Sequence, residues 1–498
     1  MTHSPLTPVC ALLTLVLLPA DASGAQAAPL TRQDRNRQLT QSQAERKQML
    51  EKMDKAGLCS RGTGITVQPD IDMLKAPAHI EPLEGVSIAK TAPSIDLTIV
   101  PLDPRFFYEP PPPRNGGGLW TVWGQGAYYS ANGKLYGAVG NHEFYDSRLH
   151  LFEYDPKTKR VRTFPELNSL VGLPIDYGDG KIHGTLDFYN GPMIYFLTYW
   201  TEYPAPKEEY FEQGYEGGRL MSFNVNTRKV RDLGVPMRRT SWQLHKMDTN
   251  RGLLFAVGAP WHEFLCYDIK NNKMLFGGYL PDGMMWYERG LFVDDQTGCA
   301  YSSNRSPSDP EVHIIQYDST KNRFTKMKSC VPAIPNAGEG NQIRAATQRK
   351  LKDGAFICIS RWGRIFKFYP EQDRVKDLGF CWSAEPSKLY TASIAVSPDE
   401  RYIYYMPAAH GNSHNLGSPV VQYNVTTGER KALAFLFPFL YEKFGYITGG
   451  TFSVSMDEKG ERLFIIMNGA FSEWKKDGGD VFGDPSVIVV HIPESERR

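Results

Sequence analysis

A short hairpin repeated along the chain restricts what this sequence can fold into. Its clearest copy is Val420-Val421-Gln422-Tyr423-Asn424-Val425-Thr426-Thr427-Gly428-Glu429-Arg430, an alternating strand closed by an aromatic and Asp or Asn, then a polar turn and a basic strand start. The same unit spans 151–161 around Tyr154-Asp155, 220–230 around Phe223-Asn224, 264–274 around Tyr267-Asp268, 314–324 around Tyr317-Asp318 and 365–375 around Phe368-Tyr369. A truncated copy ends the chain at 487–492.

From Gly118 onward each hairpin follows a second alternating pair, such as 182–188 with 193–199, 244–248 with 252–257 and 343–347 with 355–360. Four strands per unit result. The anchor aromatics recur every roughly 45–70 residues, close to the ~40–50 of a propeller blade once inserted loops are allowed for. The last unit stops at its third strand, so an earlier segment must complete it, and Ile95-Asp96-Leu97-Thr98-Ile99-Val100-Pro101-Leu102 has the required alternation. The expected fold is an all-β, seven-bladed propeller of four-stranded blades over 95–498, closed by strand 95–102. The insertion 201–218 lacks strand alternation, which argues against an eighth blade.

Ahead of the propeller, 1–27 reads as an export signal: an apolar run from Ala11 to Ala20, then Ala25-Gln26-Ala27 as a cleavage site. Residues 28–58 read as an amphipathic helical arm, with Leu39, Met49, Leu50 and Met53 on one face and Gly57 as its stop. Residues 59–94 read as an irregular linker, and Pro110 to Pro113 as a polyproline spacer. The predicted location is periplasmic or secreted.

Net charge is +1, with the Lys and Arg spread along the chain, so no stripe for nucleic acid is implied. Past the signal no run approaches the ~20 apolar residues of a membrane span. With Cys10 leaving in the signal, six cysteines remain; Cys266, Cys299 and Cys358 sit in strand patterns as buried thiols, and no CxxC pair is present.

In a propeller the innermost strands begin at one face, and the loops between second and third strands return there. Aligned on apolar alternation, those innermost strands place Gln125, His183, His245, Arg289 and Arg344 at one register; Ser393 and Thr451 lie nearby in the last two. Burial alone gives no reason for two His and two Arg at that position. The ends of the second strands add His142, Trp200, Trp261, His262, Asn304-Arg305, Arg361, Trp362 and His410. Aromatic walls with a few convergent polar groups describe a binding or catalytic mouth. Arg289 and Arg344 can grip a carboxylate or sulfate, and Trp200, Trp261, Trp362 and Tyr287 offer faces for sugar rings. The insertion 201–218, with Phe211 and Tyr215 among its aromatics, is placed as a lid over the same face. No cofactor is assigned; His410 with His414, and Asp477, Asp480 and Asp484, are the candidate ligands for a divalent metal.

With these residues the chain resembles the propeller-type polysaccharide lyases, of which ulvan lyases and oligogalacturonide lyases are members. The resemblance covers the propeller and is one of architecture and site chemistry. It implies His142 and His183 as a histidine pair with Tyr287 and Arg289 as the Tyr and Arg, while His245 and His262 stand where that family could hold a Tyr and an Arg. The implied reaction is β-elimination from a uronic acid in an anionic polysaccharide or oligosaccharide. Arg289 or Arg344 would neutralise the carboxylate, His183 or His245 would take the proton, and Tyr287 or His142 would protonate the leaving oxygen. A carboxylate pair for hydrolysis is disfavoured, since the aligned register holds no Asp or Glu and Glu288 has the wrong strand parity to point with Arg289. The alternative from another class is a non-catalytic propeller that binds a glycan or a protein at this mouth.

Overall fold

The computed structural model describes residues 62–80, 83–102, 120–141, 148–174, 177–200, 211–212, 214–309, 311–334, 340–383, 389–471 and 479–497. They form seven sheets arranged as propeller blades and a small two-stranded sheet, Asp179–Lys181 with Tyr199–Trp200. The first blade runs Ala127–Tyr129, Lys134–Gly140, Leu149–Asp155 and Arg160–Thr163 from its inner to its outer strand. The second runs Asp187–Phe188, Met193–Leu197, Leu220–Asn224 and Lys229–Asp232; the third, Ser241–Asp248, Leu253–Ala259, Phe264–Asp268 and Lys273–Gly278. The fourth begins at Phe292–Asp294, the fifth at Ile343–Ala346 and the sixth at Ala395–Val396, each adding three further strands outward. The seventh runs Ile447–Met456, Arg462–Ala470, Ser486–His491 and, fourth from the axis, Ser94–Ile99. That fourth strand pairs with the last strand of the chain from Ser94↔His491 to Ile99↔Ser486, which ties the two ends of the ring together.

The repeated hairpin explains the blades. Its anchor aromatics Tyr154, Phe223, Tyr317, Phe368 and Tyr423 are buried between blades. The Asp or Asn that follows organises the turn: Asn224 Oδ1 accepts from the N–H groups of Asn226 and Thr227 (3.0 and 2.9 Å), and Asn424 Oδ1 does the same for Thr426 and Thr427 (2.9 and 3.0 Å). Adjacent blades then bury their facing sides together. Phe292 and Tyr301 of the fourth blade pack with Phe356, Phe366 and Phe368 of the fifth. Phe152 and Tyr154 of the first pack with Phe464, Ile466 and Val487 of the seventh, so the apolar contact continues around the ring.

Residues 59–94 depart from the expected irregular linker. Ile65–Val67 adds a fifth strand to the seventh blade against Ser94–Ile99, and Val86–Ile88 lies parallel to Arg430–Phe435 at the edge of the sixth. Two short 3-10 helices, Ile71–Leu74 and Ala78–Ile80, connect them. Those strands have exposed faces and too few residues for a periodicity to register, but they cover two sheet edges. The expected signal 1–27, helical arm 28–58 and spacer 110–113 lie outside the described residues, and among the described residues no helix is long and apolar enough to cross a membrane.

Candidate functional site

One mouth of the ring opens into a cavity of about 1530 Å³, with a smaller pocket of about 60 Å³ adjoining it toward the axis. His183, Arg289 and Trp123 line both. These three sit on the segments that lead into the innermost strands, and a glycine follows His183 and Arg289. A Cβ at Gly184 would overlap the ring of His245, and one at Gly290 would overlap the carbonyl of Ile343. Close approach of the next blade at those points presses the preceding side chains into the mouth.

Arg289 is held by neutral groups. Its Nη1 donates to Nδ1 of His183 at 2.9 Å, and with the amide carbonyl of Gln243 turned toward it, Oε1 accepts from its Nε and Nη2 at 3.0 and 2.9 Å. Its backbone carbonyl accepts from Nη1 of Arg344 at 3.2 Å. The Arg344 guanidinium lies 4.3 Å from the ring centre of Tyr390 and 5.4 Å from that of Phe452. Arg361 lines the same cavity and also acts on Tyr390. Among the described residues, no carboxylate lies within ion-pair distance of Arg289, Arg344 or Arg361, although Arg305 beside them is paired with Glu288 at 2.5 Å. Three guanidinium groups without a paired carboxylate among the described residues thus stand together at one wall of a cavity that Glu288, Asp309, Glu311, Asp377 and Asp480 also line.

Two neighbouring tyrosines are shifted in opposite directions, although the arginines lower both. Burial tends to raise the Tyr390 hydroxyl, but Arg344, Arg289 and Arg361 outweigh it and hold it below the ordinary tyrosine value. Tyr287, close by and almost wholly buried, is pushed well above that value by burial and by Tyr390 itself. Tyr390 was missed in the sequence because it stands before the sixth blade's inner strand with φ 33°, outside any alternation. Lys181 was also missed; its ammonium lies over the rings of Trp123 (5.8 Å) and Tyr199 (5.6 Å) on the cavity wall.

The other expected residues divide. His183 stacks on Tyr199 (4.4 Å) and Trp123 (5.6 Å), inside the mouth. His410 is there too, its Nδ1 3.1 Å from Asp480 and its ring 5.8 Å from that of Tyr390. Gln125 lines the axial pocket, where its amide donates to the Val454 carbonyl (3.1 Å) and accepts from Ser393. His262 reaches the site only through Glu288, 3.7 Å from its Nδ1. Glu288 itself lines the cavity; it lies in a turn, so strand parity does not govern its direction. His142 lies outside the described residues.

Four expectations need correction. His245 does not face the mouth: it is fully buried between the second and third blades, its Nε2 accepts from the Leu197 N–H at 3.4 Å, and burial pushes it down to about 4. A β-bulge between Trp242 and Leu244 adds a residue to this strand, so Gln243 meets the axis in place of His245. Trp200 is wholly buried against Tyr215 (ring centres 4.7 Å apart) and offers no face to a sugar. Trp261, 48% exposed, and the half-buried Trp362 stand outside the cavity lining. Of the insertion 201–218, Phe211 and Tyr215 pack onto this buried cluster; 201–210 and 213 lie outside the described residues.

For metals, His410 is paired with Asp480, His414 is buried beside Phe437, and Asp477 lies outside the described residues. These residues form no three-ligand group among the described residues; Glu311, His313 and Cys330 do.

No protein-family model and no curated protein matches the sequence. Among solved structures the chain is similar to the WD40 repeats of RRP9 (8% identity, TM-score 0.47, covering 76% of this chain and 96% of that one). It is similar to U3-55K (8%, 0.46, 76% and 97%) and to a chain of the mitotic checkpoint complex (8%, 0.45, 78% and 95%).

Proposed function

We propose that the chain is an exported polysaccharide lyase that cleaves a uronic-acid-containing polysaccharide by β-elimination at this mouth. The observation that carries the reading is the grouping of Arg289, Arg344 and Arg361 around the Tyr390 hydroxyl without a carboxylate partner among the described residues. Such a site favours an anionic ligand, and neutralising a uronate carboxylate is what makes the adjacent C5 proton removable. A pair of titratable groups whose environments drive them apart identifies the acid and the base. Tyr390, held low, is the base that takes the C5 proton. The electron pair forms the C4–C5 double bond, the C4–O4 bond breaks, and Tyr287, which keeps its proton, gives it to O4. His183 is a positioning residue that orients Arg289. Trp123 and Tyr199 supply apolar walls for the sugar.

The test is the ultraviolet absorbance of the unsaturated uronate product during incubation with a panel of uronate polysaccharides. Absorbance should rise with at least one, and Tyr390→Phe should lower that rate by about 10²–10⁴-fold, the usual contribution of a general base. Binding to a polysaccharide without any new absorbance would replace the lyase with the non-catalytic glycan-binding propeller.

A further inference from the structure

The wall of the large cavity on the fourth blade carries a second constellation, separate from the arginine cluster. His313 opens the third strand of that blade, His313–Asp318, and pairs in register with Cys330 at the end of the fourth, Arg323–Cys330. Glu311 stands two residues before His313 on the same approach. One donor atom from each of Glu311, His313 and Cys330 can be chosen so that all lie within 4.8 Å of one another. Nε2 of His313 is 3.8 Å from Oε2 of Glu311. Tetrahedral ligands about 2.0–2.3 Å from one zinc ion stand roughly 3.3–3.8 Å apart, which the His313–Glu311 pair matches and which the rest of the group reaches by small side-chain rotations.

The imidazole is already oriented for such a role. Its Nδ1 is 2.7 Å from Oδ1 of Asp309, and the other oxygen of that carboxylate accepts from Asn304 Nδ2 at 2.7 Å. A carboxylate on one ring nitrogen fixes the tautomer and leaves the other nitrogen available to a metal, the usual supporting arrangement for a metal-bound histidine. Between the two ligands, Val312 has φ 49°, a left-handed conformation that a β-branched residue rarely adopts. Cys330 is also the one cysteine among the described residues that is not fully buried, the other four being inside the blades. Glu311, Val312, Cys330 and Asp309 all line the cavity.

We propose that Glu311, His313 and Cys330 bind a divalent transition-metal ion of the zinc class, with Asp309 orienting His313 and the remaining coordination position directed toward the cavity. Thiolate, imidazole and carboxylate together suit zinc or cobalt better than calcium or magnesium, which take oxygen ligands. Three protein ligands with a fourth position open are the pattern of a site that also accepts water or an anionic ligand group. This assignment stands apart from the lyase reading and can hold or fail without it.

The full chain, stripped with a chelator, is titrated with Co²⁺ and followed by absorption spectroscopy. One equivalent should bind, with a near-ultraviolet thiolate-to-cobalt band. Cys330→Ser should abolish that band, and Asp309→Asn should weaken binding by about 10- to 100-fold, as loss of a supporting carboxylate does. Circular dichroism of each variant checks that the propeller is intact; Glu311→Gln, at a solvent-facing position, gives a ligand variant that spares the fold and should also weaken binding. No thiolate band in the wild type, or a band that survives Cys330→Ser, overturns the assignment. Unchanged affinity in a folded Glu311→Gln removes Glu311 as a ligand and overturns the three-ligand site.

Discussion

Nη1 of Arg289 donates to Nδ1 of His183 at 2.9 Å, bridging the entries to the fourth and second blades across the mouth. An arginine can only donate, so Nδ1 is the acceptor and the ring proton of the neutral histidine sits on Nε2. In this state His183 orients a guanidinium, and in the proposed mechanism it is a positioning residue. Losing a hydrogen bond to a buried charge costs about 1.5–3 kcal/mol, so His183→Ala should lower kcat/KM by about 10- to 100-fold. His183→Asn, whose carbonyl oxygen can take the place of Nδ1, should recover part of the loss; equal loss in both variants would contradict a positioning role.

Tyr390 gives a directional pH prediction. Its hydroxyl is held below the usual tyrosine value by Arg344, Arg289 and Arg361 acting against burial. In the proposed mechanism the ionised form is the active one, so activity should be gained as pH rises through that lowered value. Removing one positive charge with Arg344→Gln must raise the Tyr390 value, so the acid limb of the kcat/KM profile should move to higher pH. A limb that stays in place in Arg344→Gln would show that another group controls it.

Asp179 supplies a stability prediction away from the chemistry. It is fully buried, accepts from Tyr215 (2.8 Å) and Thr198 (2.5 Å), and is pushed up to about 7 by burial, those bonds opposing. A carboxyl raised above its unfolded value near 3.8 favours folding most when protonated, so its contribution is full below that value and falls as pH rises toward 7. The decline amounts to a few kcal/mol at most. Asp179→Asn, which imitates the protonated form, should flatten the dependence of thermal stability between about pH 4 and 7. An unchanged slope in the variant would assign that dependence elsewhere.

The ring closure can be tested at Leu97, wholly buried in the fourth strand of the seventh blade and opposite Ile488. Leu97→Ala should cost about 2–5 kcal/mol, read by denaturant unfolding. Trp261→Ala, at a 48% exposed position outside the cavity, should change stability by no more than about 0.5 kcal/mol and leave activity unchanged.

The sequence alone determined the architecture, because the repeated hairpin states its constraint locally. An aromatic that must be buried, an Asp or Asn that must close the turn and a period of two between them are legible within a dozen residues, as Tyr423-Asn424 and Phe223-Asn224 illustrate. Even the closing partner of the last sheet follows, since Ile95, Leu97 and Ile99 alternate as an isolated strand would. His183, Arg289 and Arg344, expected at one register, do line the axial pocket, but His183 and Arg289 stand before their inner strands and Arg344 sits in a bulge, so alternation is not what places them. Tertiary structure alone decided how the axial site is composed. Gln243, Arg344 and Phe452 are each the extra residue of a β-bulge in an innermost strand, and a bulge breaks the period of two by which side-chain direction is read. That is why His245 was expected at the mouth and is instead buried beside Gly184. Tyr390, Lys181 and Glu288 have no periodic signal at all. Their positions depend on how loops from different blades pack around one axis, and the charge that Arg289, Arg344 and Arg361 place on Tyr390 arises only when residues far apart in the chain are brought within a few ångströms.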